Sequence, residues 1–341
     1  MKPLSVNLLS ITRRQILLSV GALGLSAIAF TLLTSSLARF RSGPTYPSTL
    51  TNTKTLSDNP YQLSVLLYNT QLRPRLLFAT NQSDRMQKLF PLTQGYDVLV
   101  LTETFDDYAL NEFKAKYPAT HTSSPFGQNE GLSQDSGLAI LSQWPITSQH
   151  QKVFDADCTG RSCFNYRGVI AVGIQKGQGP TYHFITAQLQ DGDSAKAQSI
   201  RQAQYQQIRQ FIDVIEIPKN ESVIFAASLP IAPQTHAEEY ERMIETIGLI
   251  PLSMTGEKRY SLDATDNNLT KVDNPQTPDS LFTLAQSTQQ PQSTTLQIRP
   301  MRTSVDQGWR SSPLLYWQRP QQNLSDHHAV EGQFTYSLPS P

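Results

Sequence analysis

The sequence predicts an α/β protein built as a sandwich of two β-sheets covered by helices. Several runs, among them "LSVLLYNT", "DVLVLTET", "VIAVGIQ", "YHFITAQLQ" and "SVIFAASL", are apolar at odd and even positions alike. Such strands are buried on both faces. Other segments carry apolar residues at helical spacing. Strands and helices mix without strict alternation, which suits a two-sheet sandwich better than a doubly wound sheet.

The elements follow from Tyr61 onward. "LSVLLYNT" opens with a β-branched and aromatic run, and "SDRMQKLFPLTQ" follows with helical spacing. "DVLVLTET" is a buried strand and "ALNEFKAKY" a short helix. "SGLAILSQWPI" and "VIAVGIQ" read as two strands separated by a loop with two cysteines. The clearest helix is "AKAQSIRQAQYQQIRQFIDVIE", with Ile200, Ala203, Ile208, Phe211, Ile212 and Ile215 on one face. "AEEYERMIETIG" is a further helix, ending at Gly248. The C-terminal third is rich in Gln, Ser, Thr and Pro until a final strand in "SDHHAVEGQFTYS".

The first 38 residues stand apart. Arg13 and Arg14 precede an apolar run from Ile16 to Leu33, and Ser36-Leu37-Ala38 offers a small-x-small cleavage site. That layout predicts an export signal or an N-terminal membrane anchor, with a periplasmic or extracellular protein as the product. Residues 39–60 read as a linker and 61–341 as a single domain. Cys158 and Cys163, in "CTGRSC", predict a local disulfide in an oxidising compartment. Lys plus Arg and Asp plus Glu both total 28 among 341 residues. This balance leaves no basic footprint for nucleic acid.

Polar residues at strand ends are the candidates for chemistry. Asn69 ends the first strand, Glu103 ends the second, and Asp326 and His327 precede the last. Singly, each has a structural reading as a turn residue, a helix-start carboxylate or a loop cap. Together they could surround Mg²⁺ and a phosphate, with His327 as base or phosphoryl contact.

In this order the segments resemble the endonuclease/exonuclease/phosphatase superfamily, and within it the secreted bacterial neutral sphingomyelinases. The resemblance rests on "LSVLLYNTQLRPRL", "YDVLVLTETFDD", "DSGLAILSQWPI", "NYRGVIAVGI" and "LSDHHAV", and runs from about Leu63 to Phe334. It implies a four-layer α/β sandwich of two mixed β-sheets flanked by helices. It also implies Mg²⁺-dependent phosphodiester hydrolysis of the phospholipase C type, with Glu103 as the metal carboxylate and Asn69, Asp326 and His327 as catalytic groups.

The same resemblance exposes departures. The family's Gly-Asp-x-Asn falls on "SVIFAASLPI", so Ser228 and Pro230 stand for the Asp and Asn that orient the attacking water. Gln188 in "TAQLQDGD" replaces a His, and in "DSLFTLA" Phe282 replaces the Asp that orients the final His. A hydroxyl is a poor base, and proline has neither amide side chain nor N–H. The expectation is a catalytically degenerate member that binds a phospholipid headgroup or another phosphodiester as a monomer. The alternative is an active Mg²⁺-dependent phosphodiesterase, with Asp191, Asp193 or His236 as replacement groups. Trp309, Tyr316 and Trp317 in "DQGWRSSPLLYWQRP" are candidates for peripheral contact with lipid or for core packing.

Overall fold

The computed structural model describes residues 46, 55–73, 80–117, 120–127, 134–155, 157–311 and 320–337. The N-terminal segment 1–38, most of 39–60, and Tyr316 and Trp317 lie outside these residues. In chain order the strands are β1 (Gln62–Leu72), β2 (Val98–Thr104), β3 (His121–Thr122), β4 (Ala139–Ser142), β5 (Ile146–Val153) and β6 (Gly168–Gln175). They continue with β7 (Thr181–Gln188), β8 (Ser222–Ser228), β9 (Leu249–Pro251), β10 (Asp279–Leu284), β11 (Ser293–Arg299) and β12 (Ala329–Thr335). The helices are α1 (Gln82–Leu89), α2 (Asp107–Lys114), α3 (Ala195–Val214) and α4 (Ala237–Ile247).

These strands form two mixed sheets of 6 strands each, in the orders β11-β12-β1-β2-β4-β3 and β5-β6-β7-β8-β10-β9. Side-chain alternation along each strand builds the layers. On β1, Leu63, Val65 and Leu67 enter the core between the sheets, where they meet Ile170, Phe184, Ile224 and Leu281 from the second sheet. Leu66, Tyr68, Leu99 and Leu101 face the other way and pack on Met86, Leu89 and Phe113 of α1 and α2. Val223, Phe225, Ala227 and Phe282 pack on Tyr205, Ile208 and Met243 of α3 and α4. The result is a helix–sheet–sheet–helix sandwich, as the both-faces apolar strands predict.

Three sequence readings are refined. "SGLAILSQWPI" is not one strand: it breaks at Trp144-Pro145 into β4 and β5, which lie in different sheets. The buried stripe of α3 passes through Arg201, Gln204 and Tyr205, while Ala203 is exposed. Arg201 tolerates burial because its guanidinium pairs with Glu239 of α4 through Nε to Oε1 at 2.7 Å and Nη2 to Oε2 at 2.8 Å. Strand β11 was hidden in the polar C-terminal third, since a half-exposed strand of Ser, Thr and Gln has little apolar signal.

The two ends of the sandwich differ. At the N-terminal end of β1, Asp97 closes the gap between the sheets. It accepts from the Ser64 N–H at 2.8 Å, Trp144 Nε1 at 2.7 Å and Lys176 Nζ at 2.8 Å. Lys176 is fully buried there, so its partner is obligatory. The opposite end, where β1, β2, β7 and β8 terminate, carries the candidate site.

Candidate active-site cleft

Strand parity explains which side chains reach this cleft. Asn69 is in phase with Leu63, Val65 and Leu67, so it points between the sheets. Ser228 is in phase with Ile224 and Ala226 on β8, and Gln188 with Tyr182 and Phe184 on β7. Glu103 is out of phase: its neighbours Leu99 and Leu101 face the helices. The backbone resets the pleat at Glu103, whose φ is 51°. This left-handed conformation costs about 1–2 kcal/mol for a residue with a Cβ. It brings the carboxylate to the cleft, where Oε1 accepts from Asn69 Nδ2 at 3.1 Å. Gln71 has φ 49°, and its N–H donates to Asn69 Oδ1 at 3.1 Å. Two strained backbones thus flank one amide.

Asn69 also joins the two sheets, because its Nδ2 donates to Ser228 Oγ at 3.1 Å. Antiparallel pairing of β8 with β10 sets Ser228 opposite Asp279. Asp279 is fully buried, and its Oδ2 lies 2.6 Å from His327 Nδ1 and accepts from Ser261 Oγ at 2.6 Å. Burial works against the imidazolium, but the Asp279 carboxylate, with Asp326 and Glu103 behind it, raises His327 to about 9. Burial likewise works against the Asp279 anion, yet His327 and the hydroxyl partners hold it below the usual carboxylate range. Glu103 moves the other way: burial and the neighbouring Asp326 raise it, with Arg73, His327 and Asn69 in opposition.

Phe282 therefore does not take the place of the His-orienting Asp. It lies three residues after Asp279, on the opposite face of β10, buried against α3 and α4. Asp279 holds His327 instead, and the signal was in the sequence: in "DSLFTL" Asp279 is in phase with Leu281, Phe282 is not. Trp309 is also corrected as a lipid contact. It is buried against α1, its Nε1 donates to the Asn323 carbonyl at 2.7 Å, and Arg85 lies 5.4 Å from its ring centroid. Cys158 and Cys163 form the disulfide that their spacing predicts. Asp191 is engaged by Arg167 Nη2 at 3.0 Å, and Asp193 lies 3.2 Å from His236 Nε2. Pro230 follows Ser228 in the turn out of β8, half-buried.

Several cleft residues carried no sequence motif. Gln71 Nε2 donates to Asp326 Oδ2 at 2.5 Å. Arg85 on α1 donates through Nε to the Leu324 carbonyl at 2.8 Å and through Nη1 to the Gln71 carbonyl at 3.1 Å. It pins the end of β1 to the segment before Asp326. Arg73 Nε lies 3.8 Å from Glu103 Oε2.

The arrangement is tested against Mg²⁺ by its donors. Such an ion takes oxygen ligands in near-octahedral geometry. Here Glu103 faces an amide N–H on one oxygen and a guanidinium on the other. Asn69 turns its N–H groups, not its carbonyl, toward Glu103 and Ser228. Asp326 accepts from Gln71 and from Ser325 Oγ at 3.2 Å, and Asp279 is held by His327. Among the described residues no three His, Cys, Asp or Glu side chains converge on one point that could hold a metal ion. As arranged, the donor set does not fit a divalent ion.

No protein-family model matches the chain. It is 28% identical over 250 residues to a sphingomyelinase C of Bacillus cereus, across 66% of this chain and 72% of that protein. The crystal structure of sphingomyelinase C from Streptomyces griseocarneus superposes with a TM-score of 0.69 at 25% identity, across 80% of this chain and 99% of that one. The chain resembles the bacterial neutral sphingomyelinases, and its fold is that of the endonuclease/exonuclease/phosphatase superfamily. A Staphylococcus aureus beta toxin variant with bound magnesium ions shares this sphingomyelinase-like fold, with a TM-score of 0.68 at 22% identity over 81% of this chain and 100% of the toxin. Against this sphingomyelinase-like frame, Ser228 and Pro230 stand where β8 runs into the cleft, beside an intact His327–Asp279 pair.

Proposed function

We propose that this protein is a catalytically degenerate, sphingomyelinase-like phosphodiesterase fold that binds a phospholipid headgroup or another phosphate ligand outside the cytoplasm. The observation that carries the reading is Ser228, opposite Asp279 and in contact with Asn69, at the point where a carboxylate would have to accept a proton from water. A serine hydroxyl does not do this at neutral pH. His327 does not replace it, because an imidazole raised to about 9 already carries its proton at pH 7. It donates to an anion instead. Asn69, Ser228 and His327 then make a donor-lined cleft for phosphate oxygens. General-base assistance is worth about 10² to 10⁴ in rate. The Cys158–Cys163 bond supports export, since such bonds persist in oxidising compartments.

The alternative, an active phospholipase C-type phosphodiesterase, is favoured by the preserved His327–Asp279 pair. One assay decides. The full chain, made in an oxidising compartment, is incubated with Mg²⁺ and vesicles of sphingomyelin or phosphatidylcholine, beside a Glu103→Ala variant. No phosphocholine release from either protein, with vesicle binding by the parent, is the expected result. Release that disappears in Glu103→Ala establishes the alternative.

A further inference from the structure

We infer that the apolar segment 16–33 is kept as a membrane anchor and that Tyr46 docks its linker at the cleft end of the sandwich, so that the cleft is held against a phospholipid surface. The inference rests on the reading of the cleft as a phospholipid site and adds how the cleft is presented to one. Tyr46 lies in the predicted linker, yet it is buried on the domain. Its N–H donates to Gln322 Oε1 at 2.9 Å, and its carbonyl accepts from Gln322 Nε2 at 2.8 Å. Its ring stacks on Arg302, whose guanidinium carbon lies 4.4 Å from the ring centroid. Arg302 is itself fixed, through Nε to Asn323 Oδ1 at 2.7 Å and through Nη2 to Asp266 Oδ2 at 3.0 Å.

Topology places this dock. β11 runs toward the cleft: its last residue, Arg299, pairs with Ala329 at the start of β12, just after His327. Arg302 and Gln322 therefore belong to the cleft end. β1 begins at the other end, beside the Asp97 closure. Connectivity alone would hang the domain from there, with the cleft turned away from the anchor. The dock reverses this. At about 3.5 Å per residue, it shortens the reach of the tether beyond Leu33 from about 100 Å at Gln62 to about 45 Å at Tyr46.

The anchor and the surface agree with the dock. Segment 16–33 has no charged residue. It is longer than the apolar core of a cleaved signal, about 7–15 residues, and long enough to span a bilayer. Arg13 and Arg14 on its N-terminal side orient it with the domain outside the cytoplasm. Of the eight exposed large apolar side chains among the described residues, five stand at the cleft end. Tyr108 opens α2 after β2, Val153 ends β5, Phe164 leads into β6, Tyr260 adjoins Ser261 beside Asp279, and Val305 follows β11. Such side chains suit the headgroup interface.

The test uses the full chain, made in an oxidising compartment and reconstituted through its N-terminal segment into phosphatidylcholine vesicles that bear a headgroup quencher. A fluorophore is carried at Val305→Cys, at the cleft end, or at Val214→Cys, at the end of α3 that leads back to the start of β8. Mass spectrometry should find residues 1–38 in place. The Val305→Cys label should be quenched more than the Val214→Cys label, and Tyr46→Ala should abolish that difference. A flexible Gly/Ser insertion between residues 38 and 39 lengthens the tether outside the folded body, and it should abolish the difference too, even if Tyr46→Ala fails to fold. A mature chain that begins after residue 38, equal quenching of the two labels in the parent, or a difference that survives both changes overturns the inference. Titration with phosphocholine tests the underlying reading separately. Phosphocholine binding with equal quenching overturns the tether alone; the expected quenching without phosphocholine binding overturns the phospholipid reading and leaves the tether standing.

Discussion

His327 Nδ1 lies 2.6 Å from Asp279 Oδ2, and Asp279 is paired in register with Ser228 on the neighbouring strand. One buried carboxylate thus orients the histidine on one side and abuts Ser228 on the other. The pairing has a structural reason: Asp279 is fully buried, and an unpaired buried charge costs several kcal/mol.

The pair makes stability depend on pH. His327 is raised to about 9 in the folded protein, against about 6.5 unfolded. Its contribution is complete below about 6.5 and is lost as pH rises through 9. Asp279 is depressed, so its contribution is present above about 4 and is lost as pH falls below that. Thermal melts between pH 5 and 10 should show Tm falling on the alkaline side. His327→Gln should flatten that fall. Parallel profiles for parent and variant would contradict the assignment.

Arg85 should be a keystone of the cleft. Its Nη2 donates to the Thr70 carbonyl at 2.5 Å and the Leu324 carbonyl at 2.6 Å, besides the contact to Gln71. Arg85→Met retains the stem but leaves buried carbonyls unsatisfied, at a cost of about 3 kcal/mol. Urea unfolding measures the loss. Amide exchange at Gln71 and Asp326 should accelerate more than exchange in β7, which lies in the other sheet from β1.

Trp309 behaves as a core residue. Trp309→Ala should destabilise by about 3–5 kcal/mol through the cavity and the lost Asn323 hydrogen bond. Trp309→Phe should cost less and leave vesicle binding at parent strength. A selective loss of vesicle binding in Trp309→Phe, at unchanged Tm, would return this residue to the membrane surface.

The disulfide closes a short loop, Cys158 to Cys163, with a separation of 5. Chain-entropy arguments give about 2 kcal/mol for a loop of this size. The loop is tied to the segment after β7: the Thr159 N–H donates to Gln190 Oε1 at 3.1 Å, and the Asp191 N–H to Ser162 Oγ at 3.1 Å. The Cys158→Ser, Cys163→Ser double variant should lose about that much stability in urea. The same loss should appear in the parent on adding reductant, and reductant should not shift the variant.

Much of this was legible in the chain. Runs apolar at odd and even positions alike pointed to sheets buried on both faces, and the helical stripes to covering layers, because that arrangement hides those side chains. Asn69, Glu103, Ser228, Asp326 and His327 could be named because each sits at a strand end in a recognisable segment. Asp279 was within reach too, by counting phase along "DSLFTL". Other features were out of reach. β11 lacked an apolar pattern, and the division of "SGLAILSQWPI" between two sheets depends on how the chain crosses at Trp144-Pro145.

By itself, then, the sequence determined the layers and the disulfide, since these follow from local pattern and residue chemistry. Only the tertiary structure decided that Asp279 holds His327, that Arg85 joins β1 to the Asp326 segment, and that Arg73 faces Glu103. Those relations join residues 14 to 239 positions apart, or depend on the positive φ at Glu103. No periodicity encodes them; they exist once two sheets close on each other and bring their strand ends to one cleft.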